Sequence, residues 1–99
     1  AYCASKAAVG AMTRCLASEW ALDGIRVLNV APGYVETELN REFLTSARVQ
    51  QSMRRRIPVG RVGDVQEIAR LVGMLFSEKI DFLTGETIYV DCGYNIMGI

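Results

Sequence analysis

From Ala4 to Leu22 the chain carries apolar residues at helical spacing and contains no proline. Ala4, Ala8, Met12, Cys15 and Leu16 make one stripe, while Lys6, Val9, Gly10, Thr13, Ala17 and Trp20 make a second face. A helix with apolar residues on two faces is usually covered from both sides, here by a sheet and by another helix, such as one from a second subunit. Asp23-Gly24 then reads as a C-terminal glycine stop. Ile25 to Ala31 is apolar on both pleat faces except at Arg26 and Asn29, which predicts a buried parallel strand ended by Pro32-Gly33. The stretch Thr37 to Arg56 is polar and weakly helical, and Ile57-Pro58 closes it. Asp64, followed three residues later by Glu67, predicts a capping box. Val65, Ile68, Ala69, Val72, Leu75 and Phe76 then recur at helical spacing to about Ser77. Leu83-Thr84-Gly85 turns the chain into a last strand, Glu86 to Val90 or Asp91.

The order helix, strand, long loop, helix, strand predicts an α/β fold whose second half is a right-handed parallel crossover. Two strands cannot make an independent doubly covered sheet, so the sheet is expected to be incomplete on its own. No internal repeat or linker divides the 99 residues. With 51% hydrophobic and 22% charged residues, disorder is excluded. Eleven basic residues balance eleven acidic ones, which gives no support to nucleic-acid or anionic-membrane binding. No apolar run approaches the roughly 20 residues that span a bilayer, and the opening residues do not read as a secretory signal peptide. Histidine is absent, which removes Ser-His-Asp and Cys-His nucleophile chemistry and His-containing zinc sites from this segment. Cys3, Cys15 and Cys92 lack metal-ligand spacing. On one helix Cys3 and Cys15 would stand about 18 Å apart, too far for a disulfide. Free thiols in a reducing cytoplasm are expected, and no metal site is.

In an open parallel sheet, ligands bind at the carboxyl ends of the strands. The loop Ala31-Pro32-Gly33-Tyr34-Val35-Glu36-Thr37 belongs there, as does the start of the first helix. Tyr2 and Lys6 lie at i and i+4, on one helical face. A phenol is a poor acid-base catalyst near pH 7, and an ammonium about 5 Å away favours its ionised form by on the order of 3 kcal/mol at an effective dielectric of about 20. Taken alone, the pair is a weak signal and reads more readily as a surface tyrosine packed over a lysine stem.

Four ordered motifs extend the picture. Tyr2-Cys3-Ala4-Ser5-Lys6-Ala7-Ala8 is followed by Ile25-Arg26-Val27-Leu28-Asn29-Val30-Ala31-Pro32-Gly33-Tyr34-Val35-Glu36-Thr37. Gly60-Arg61-Val62-Gly63-Asp64 with Glu67-Ile68-Ala69 comes next, and then Leu83-Thr84-Gly85-Glu86-Thr87-Ile88-Tyr89-Val90-Asp91-Cys92-Gly93. Together they closely resemble the C-terminal portion of the short-chain dehydrogenase/reductase family, over essentially all 99 residues. The resemblance implies the C-terminal part, residues 1–99, of one Rossmann-like, doubly wound NAD(P)-binding domain. It implies an oxidoreductase moving a hydride between NAD or NADP and a carbonyl or secondary alcohol. Tyr2 would be the general acid/base, and Lys6 would assist it and hydrogen-bond the nicotinamide ribose. Pro32, Gly33 and the Val35 backbone would line the nicotinamide, and the Thr37 hydroxyl would meet its carboxamide or the pyrophosphate. Asn29 would be structural, and Phe43, Leu44 and Met53 would fall in a mobile substrate lid, touching substrate or packing on the sheet.

The family's glycine-rich phosphate loop, catalytic serine and catalytic asparagine have no counterpart in these residues. The segment therefore reads as an excerpt, inactive alone and prone to associate through exposed core surface. The resemblance alone puts 3-oxoacyl thioesters and sugars or polyols first among the expected substrate classes. The rival reading is a non-catalytic relative used for nucleotide sensing or scaffolding. A homodimer or homotetramer is expected from the two-sided first helix and from Ile88, Tyr89 and Val90 on an edge strand. Arg54-Arg55-Arg56 reads as a solvated face, with an anionic substrate carrier as the alternative. Thr37 also suits the N-cap of a helix starting near Glu38. Asp91-Cys92-Gly93 departs from the family's usual Asp-Gly-Gly, and a Cβ at position 92 argues against a left-handed backbone there.

Overall fold

A computed structural model describes residues 1–97 and divides the chain into two compact units, Ala1–Val30 with Leu75–Ile88 and Ala31–Met74 with Tyr89–Ile99. The architecture is α/β: helices α1 (Tyr2–Trp20), α2 (Arg41–Thr45), α3 (Ala47–Arg56) and α4 (Val65–Ser77), with strands β1 (Asn29–Pro32), β2 (Val35–Glu36), β3 (Gly63–Asp64) and β4 (Thr87–Val90). β1 pairs with β4, and β2 with β3. Donations from Asn29 N–H to the Glu86 carbonyl and from Gly33 N–H to the Val90 carbonyl advance together along β1 and β4, so that pair is parallel. β2 and β3 are parallel in the register Val35–Gly63 and Glu36–Asp64.

In the first unit, α1 begins two residues before the expected start, and a short 3-10 turn, Ala21–Asp23, ends at Gly24 with φ +74°. Its inward face is the second of the two sequence stripes: Thr13 and Ala17 are buried, and Ala17 packs beside Gly85. The Thr13 hydroxyl donates to the Val9 carbonyl, which lets it be buried without an orphaned donor. Of the other stripe, Ala4, Ala8, Met12 and Cys15 are exposed and Leu16 is half-buried.

The expected strand over Ile25–Ala31 is displaced: the ladder covers Asn29–Pro32. Upstream of it, Val27 N–H donates to the Thr84 hydroxyl (3.0 Å), and Gly85 N–H donates to the Val27 carbonyl (2.8 Å). A side chain and a turn amide satisfy the backbone there in place of a neighbouring strand. Asn29 is structural, as expected, because its side-chain amide donates to the Thr87 hydroxyl at 3.2 Å.

In the second unit, Leu44, Met53 and Ile57 form the core, with Val49, Val62 and Cys92 packed against it. Leu44 and Met53 thus pack inward, whereas Phe43 is exposed. Cys92 corrects the sequence reading, since it adopts φ +56° in spite of its Cβ. Such a conformation costs a non-glycine residue roughly 1–2 kcal/mol. The Asp91 carboxylate offsets this by accepting from the N–H groups of Gly93 (3.0 Å) and Asn95 (2.8 Å). Gly93 follows at φ +84°, where a Cβ would meet Pro58 at 2.8 Å.

The start of α4 realises the predicted capping box in part. Glu67 reaches back to the Asp64 N–H (2.9 Å), but the Asp64 carboxylate accepts from Gln66 rather than Glu67. Arg61 grips Glu67 through two hydrogen bonds of 2.9 and 2.7 Å. Among the described residues few apolar side chains are buried, and Leu22, Leu39 and Phe82 stand fully exposed, in keeping with an incomplete sheet. Among the described residues, no helix is long and apolar enough to cross a membrane, and no cluster of three or more His, Cys, Asp or Glu could hold a metal.

The hydrogen bonds from Arg61, and after them that from the Asp64 N–H, lower the Glu67 pKa from 4.5 to about 2. Because the folded value is depressed, this contribution to stability is fully present above 4.5 and fades as pH falls towards about 2. Glu67→Gln should therefore be less stable than the parent at neutral pH, with the gap in urea midpoint closing across that interval and narrowing in high salt. A gap independent of pH would rule out the ionic pairing as its source.

Candidate functional site

The sequence-predicted site residues fall into two groups. Tyr2 and Lys6 lie in the first unit, and Pro32, Gly33, Val35 and Thr37 lie in the second. Tyr2 is the first residue of α1, and one turn along it Lys6 places its Nζ 5.6 Å from the Tyr2 ring centroid. That is a cation–π contact at helical i,i+4 spacing. Tyr2 is 73% exposed, and at such a site the attraction is worth about 0.5–1 kcal/mol.

In the second unit, Pro32 ends β1 and Gly33 holds the bend by donating its N–H to the Val90 carbonyl (3.0 Å). A Cβ on Gly33 would stand 2.7 Å from Asp91 Cβ and 2.8 Å from its Cα, so only glycine fits. Tyr34 packs edge-on against Tyr94, with ring centroids 5.5 Å apart. Val35 lies opposite Gly63, whose N–H donates to the Tyr34 carbonyl. In a parallel ladder Gly63 bonds the two residues flanking Val35, so the N–H and carbonyl of Val35 itself face away from β3. Asn40 Nδ2 reaches that carbonyl at 2.9 Å.

Thr37 does not cap a helix beginning near Glu38. The following helix begins at Arg41 with Asn40 at its cap, and the Thr37 carbonyl accepts from Asn40 and Arg41 N–H. Asn40 Oδ1 in turn accepts from the Thr37 N–H at 2.7 Å. The Thr37 hydroxyl forms no hydrogen bond among the described residues and opens on a polar cavity of about 310 Å³ shared with Glu36, Glu38, Arg41 and Asp64. Arg41 is held by Glu36 at 2.7 Å.

Asn40 escaped sequence reasoning although it organises this loop. Its only signal is its position three residues after Thr37, where either residue could serve as a cap. The chain resolves that choice by turning the Asn40 side chain backward, onto the amide of Thr37 and the carbonyl of Val35.

Residues 1–95 match the family described as enoyl-(acyl carrier protein) reductase. A tropinone reductase homolog of Arabidopsis thaliana is 40% identical over 97 residues, covering 98% of this chain and 36% of the relative. A gluconate 5-dehydrogenase from Burkholderia cenocepacia, solved with NADP and tartrate, is 38% identical with a TM-score of 0.81, over 96% of this chain and 37% of that one. A 4-hydroxyisoleucine dehydrogenase complexed with NADH superposes with a TM-score of 0.88 at 28% identity, over 96% of this chain and 39% of that one. The chain belongs to the short-chain dehydrogenase/reductase family, whose Rossmann fold its parallel strands and helices share. It spans little more than a third of the length of these relatives.

Gly33→Ala should lower stability by about 1–3 kcal/mol through overpacking against the Asp91 backbone, read as a reduced denaturation midpoint. An unchanged midpoint would mean that Asp91 gives way without cost.

Proposed function

We propose that the protein containing this chain is an NAD(P)-dependent oxidoreductase that interconverts a carbonyl and a secondary alcohol. Tyr2 acts as its general acid/base, and residues 1–99 form the C-terminal part of its dinucleotide-binding domain. The observation that carries this reading is the Lys6 ammonium poised 5.6 Å from the Tyr2 ring at the head of α1 in a chain of this family. A binding-only relative has no use for a phenol paired with a cation. NAD or NADP, when bound, supplies or accepts the hydride.

The residues present fit a nicotinamide. The Val35 N–H, turned away from β3, suits the carboxamide oxygen, and the free Thr37 hydroxyl stands beyond it. Three carboxylates share the cavity with Thr37, and its one arginine is already engaged by Glu36. Those charges oppose a pyrophosphate and favour the neutral carboxamide as the partner of Thr37. Pro32 and Gly33 supply a flat backbone surface for the ring.

During reduction the Tyr2 hydroxyl gives its proton to the carbonyl oxygen of the substrate, and during oxidation the phenolate takes the proton of the alcohol. Lys6 favours the phenolate and offers its remaining N–H donors to the ribose hydroxyls. Exclusion of water is what turns the weak exposed contact into a strong one. The serine that polarises the carbonyl and the glycine-rich phosphate cradle come from residues outside this chain, so the 99 residues alone are inactive. Sugars or polyols and 3-oxoacyl thioesters are the substrate classes to test first. The exposed stripe of α1 and the face of β4 bearing Tyr89 are covered by a second copy of the subunit.

Tyr2→Phe in the full-length protein, assayed with NADH and NADPH over a carbonyl panel, should lose turnover by about 10²-fold or more while still binding the dinucleotide. Undiminished turnover would remove Tyr2 from the mechanism and leave a sensing or scaffolding role. Light scattering of the full-length protein should report a dimer or tetramer, and a monomer would reject the proposed assembly.

A further inference from the structure

The second unit carries an open cleft of about 380 Å³ that the proton transfer at Tyr2 does not explain. Its apolar wall includes Phe43, Met53 and Ile57, and its polar edge includes Arg48, Ser52 and Arg56. The three polar residues are spaced i, i+4 and i+8 on α3, so they share one face of that helix. Arg48 and Arg56 stand about 12 Å apart along the axis, with Ser52 between them.

The charge on α3 is unbalanced. Its ten residues carry four arginines and no carboxylate, in a chain whose formal net charge is zero. Arg54, Arg55 and Arg56 occupy the last turn, where cations complement the helix dipole. Arg48 is the second residue of the helix, at the end where the same dipole disfavours a cation. Neither Arg48 nor Arg56 forms an ion pair among the described residues; the ion pairs there are Arg41–Glu36 and Arg61–Glu67. Two unpaired guanidinium groups and the Ser52 hydroxyl therefore border a cavity whose remaining lining is the apolar wall with Val49, Tyr34 and Tyr94.

We infer that this cavity binds a small organic acid, with the carboxylate at the Arg48–Ser52–Arg56 edge and the apolar body against Phe43, Met53 and Ile57. A guanidinium meets a carboxylate through two parallel N–H donors, and an anion near the first turn of α3 relieves the unfavourable placement of Arg48. The volume is at the small end of ligand pockets, which suits an acid of about ten heavy atoms. As a statement about substrate, it rests on the oxidoreductase reading and narrows it to hydroxy or oxo acids; as a statement about binding, it stands without that reading.

Isothermal titration of the full-length protein with octanoate, 1-octanol and octyl phosphate separates the head groups on a common apolar tail. Octanoate should bind at least about tenfold more tightly than octanol. Arg48→Gln and Arg56→Gln should each weaken octanoate by about tenfold with little effect on octanol, as expected when a hydrogen bond to a charged group is lost. Arg54→Gln, which lies outside the cavity lining, should leave both unchanged. Circular dichroism confirms that each variant folds. Octanol binding as tightly as octanoate, indifference to both glutamine substitutions, or no binding of octanoate at millimolar concentration would each overturn the proposal. Tighter binding of octyl phosphate than octanoate would overturn the carboxylate assignment in favour of a phosphate site. Tyr2→Phe should leave octanoate binding intact, so a failure of the catalytic reading registers in turnover and a failure of the acid site registers in titration.

Discussion

Hydrogen bonding between segments almost sixty residues apart is the constraint on which the rest of this structure depends. Val27 meets Thr84 and Gly85, Asn29 meets Glu86 and Thr87, and Gly33 meets Val90. Each of these contacts closes a long loop, so the entropy of closure is met cooperatively rather than one bond at a time. The last of them fixes the bend after β1, and the close approach of Gly33 to Asp91 makes that position intolerant of any side chain. Asp91 then continues the work downstream, because its carboxylate holds the left-handed Cys92-Gly93 turn that returns the chain to Pro58. A single ladder thus sets both where the Pro32–Thr37 loop departs and where the C-terminal segment packs.

Elements defined by local chemistry were legible in the sequence, and elements defined by distant partners were less so. The end of α1 follows from Asp23-Gly24, since a left-handed stop needs little beyond a glycine. The α4 periodicity and the reach of Glu67 back to Asp64 follow from spacing alone. Ile25–Leu28 lies outside the ladder although Ile25, Val27 and Leu28 are apolar, because a ladder needs a partner whose register the sequence does not display; Ile25 is exposed and Val27 and Leu28 are half-buried. Cys92 shows the same limit. Its strain is tolerable only through hydrogen bonds made by Asp91, and residue-type preference does not count such bonds.

The site was legible by residue type and not by arrangement. Tyr2 with Lys6, and the Pro32-Gly33 bend, were identified from spacing and from the family motifs. The way Asn40 ties Thr37 to Val35 was not visible, because asparagine and threonine compete for the same capping role and only the folded loop decides between them. In the segment between Thr37 and Arg56, Leu44 and Met53 take the core while Phe43 turns to the cavity, a division that helical phase alone does not fix in helices as short as five and ten residues.

The two charged features of the chain obey opposite physics. Lys6 beside Tyr2 is weak as it stands because water surrounds it, and a contact of this kind strengthens only where water is excluded. Arg61 beside Glu67 is already paired, with Nη1 and Nη2 each donating to one carboxylate oxygen, so it serves the fold. Arg48 and Arg56 resemble the lysine in this respect. Long cationic side chains on the wall of an apolar cavity keep their hydration only while the cavity is wet, and an apolar ligand without a counter-charge would strip it away uncompensated. A ligand that brings its own carboxylate removes that penalty, so the same cavity discriminates against neutral molecules of equal size.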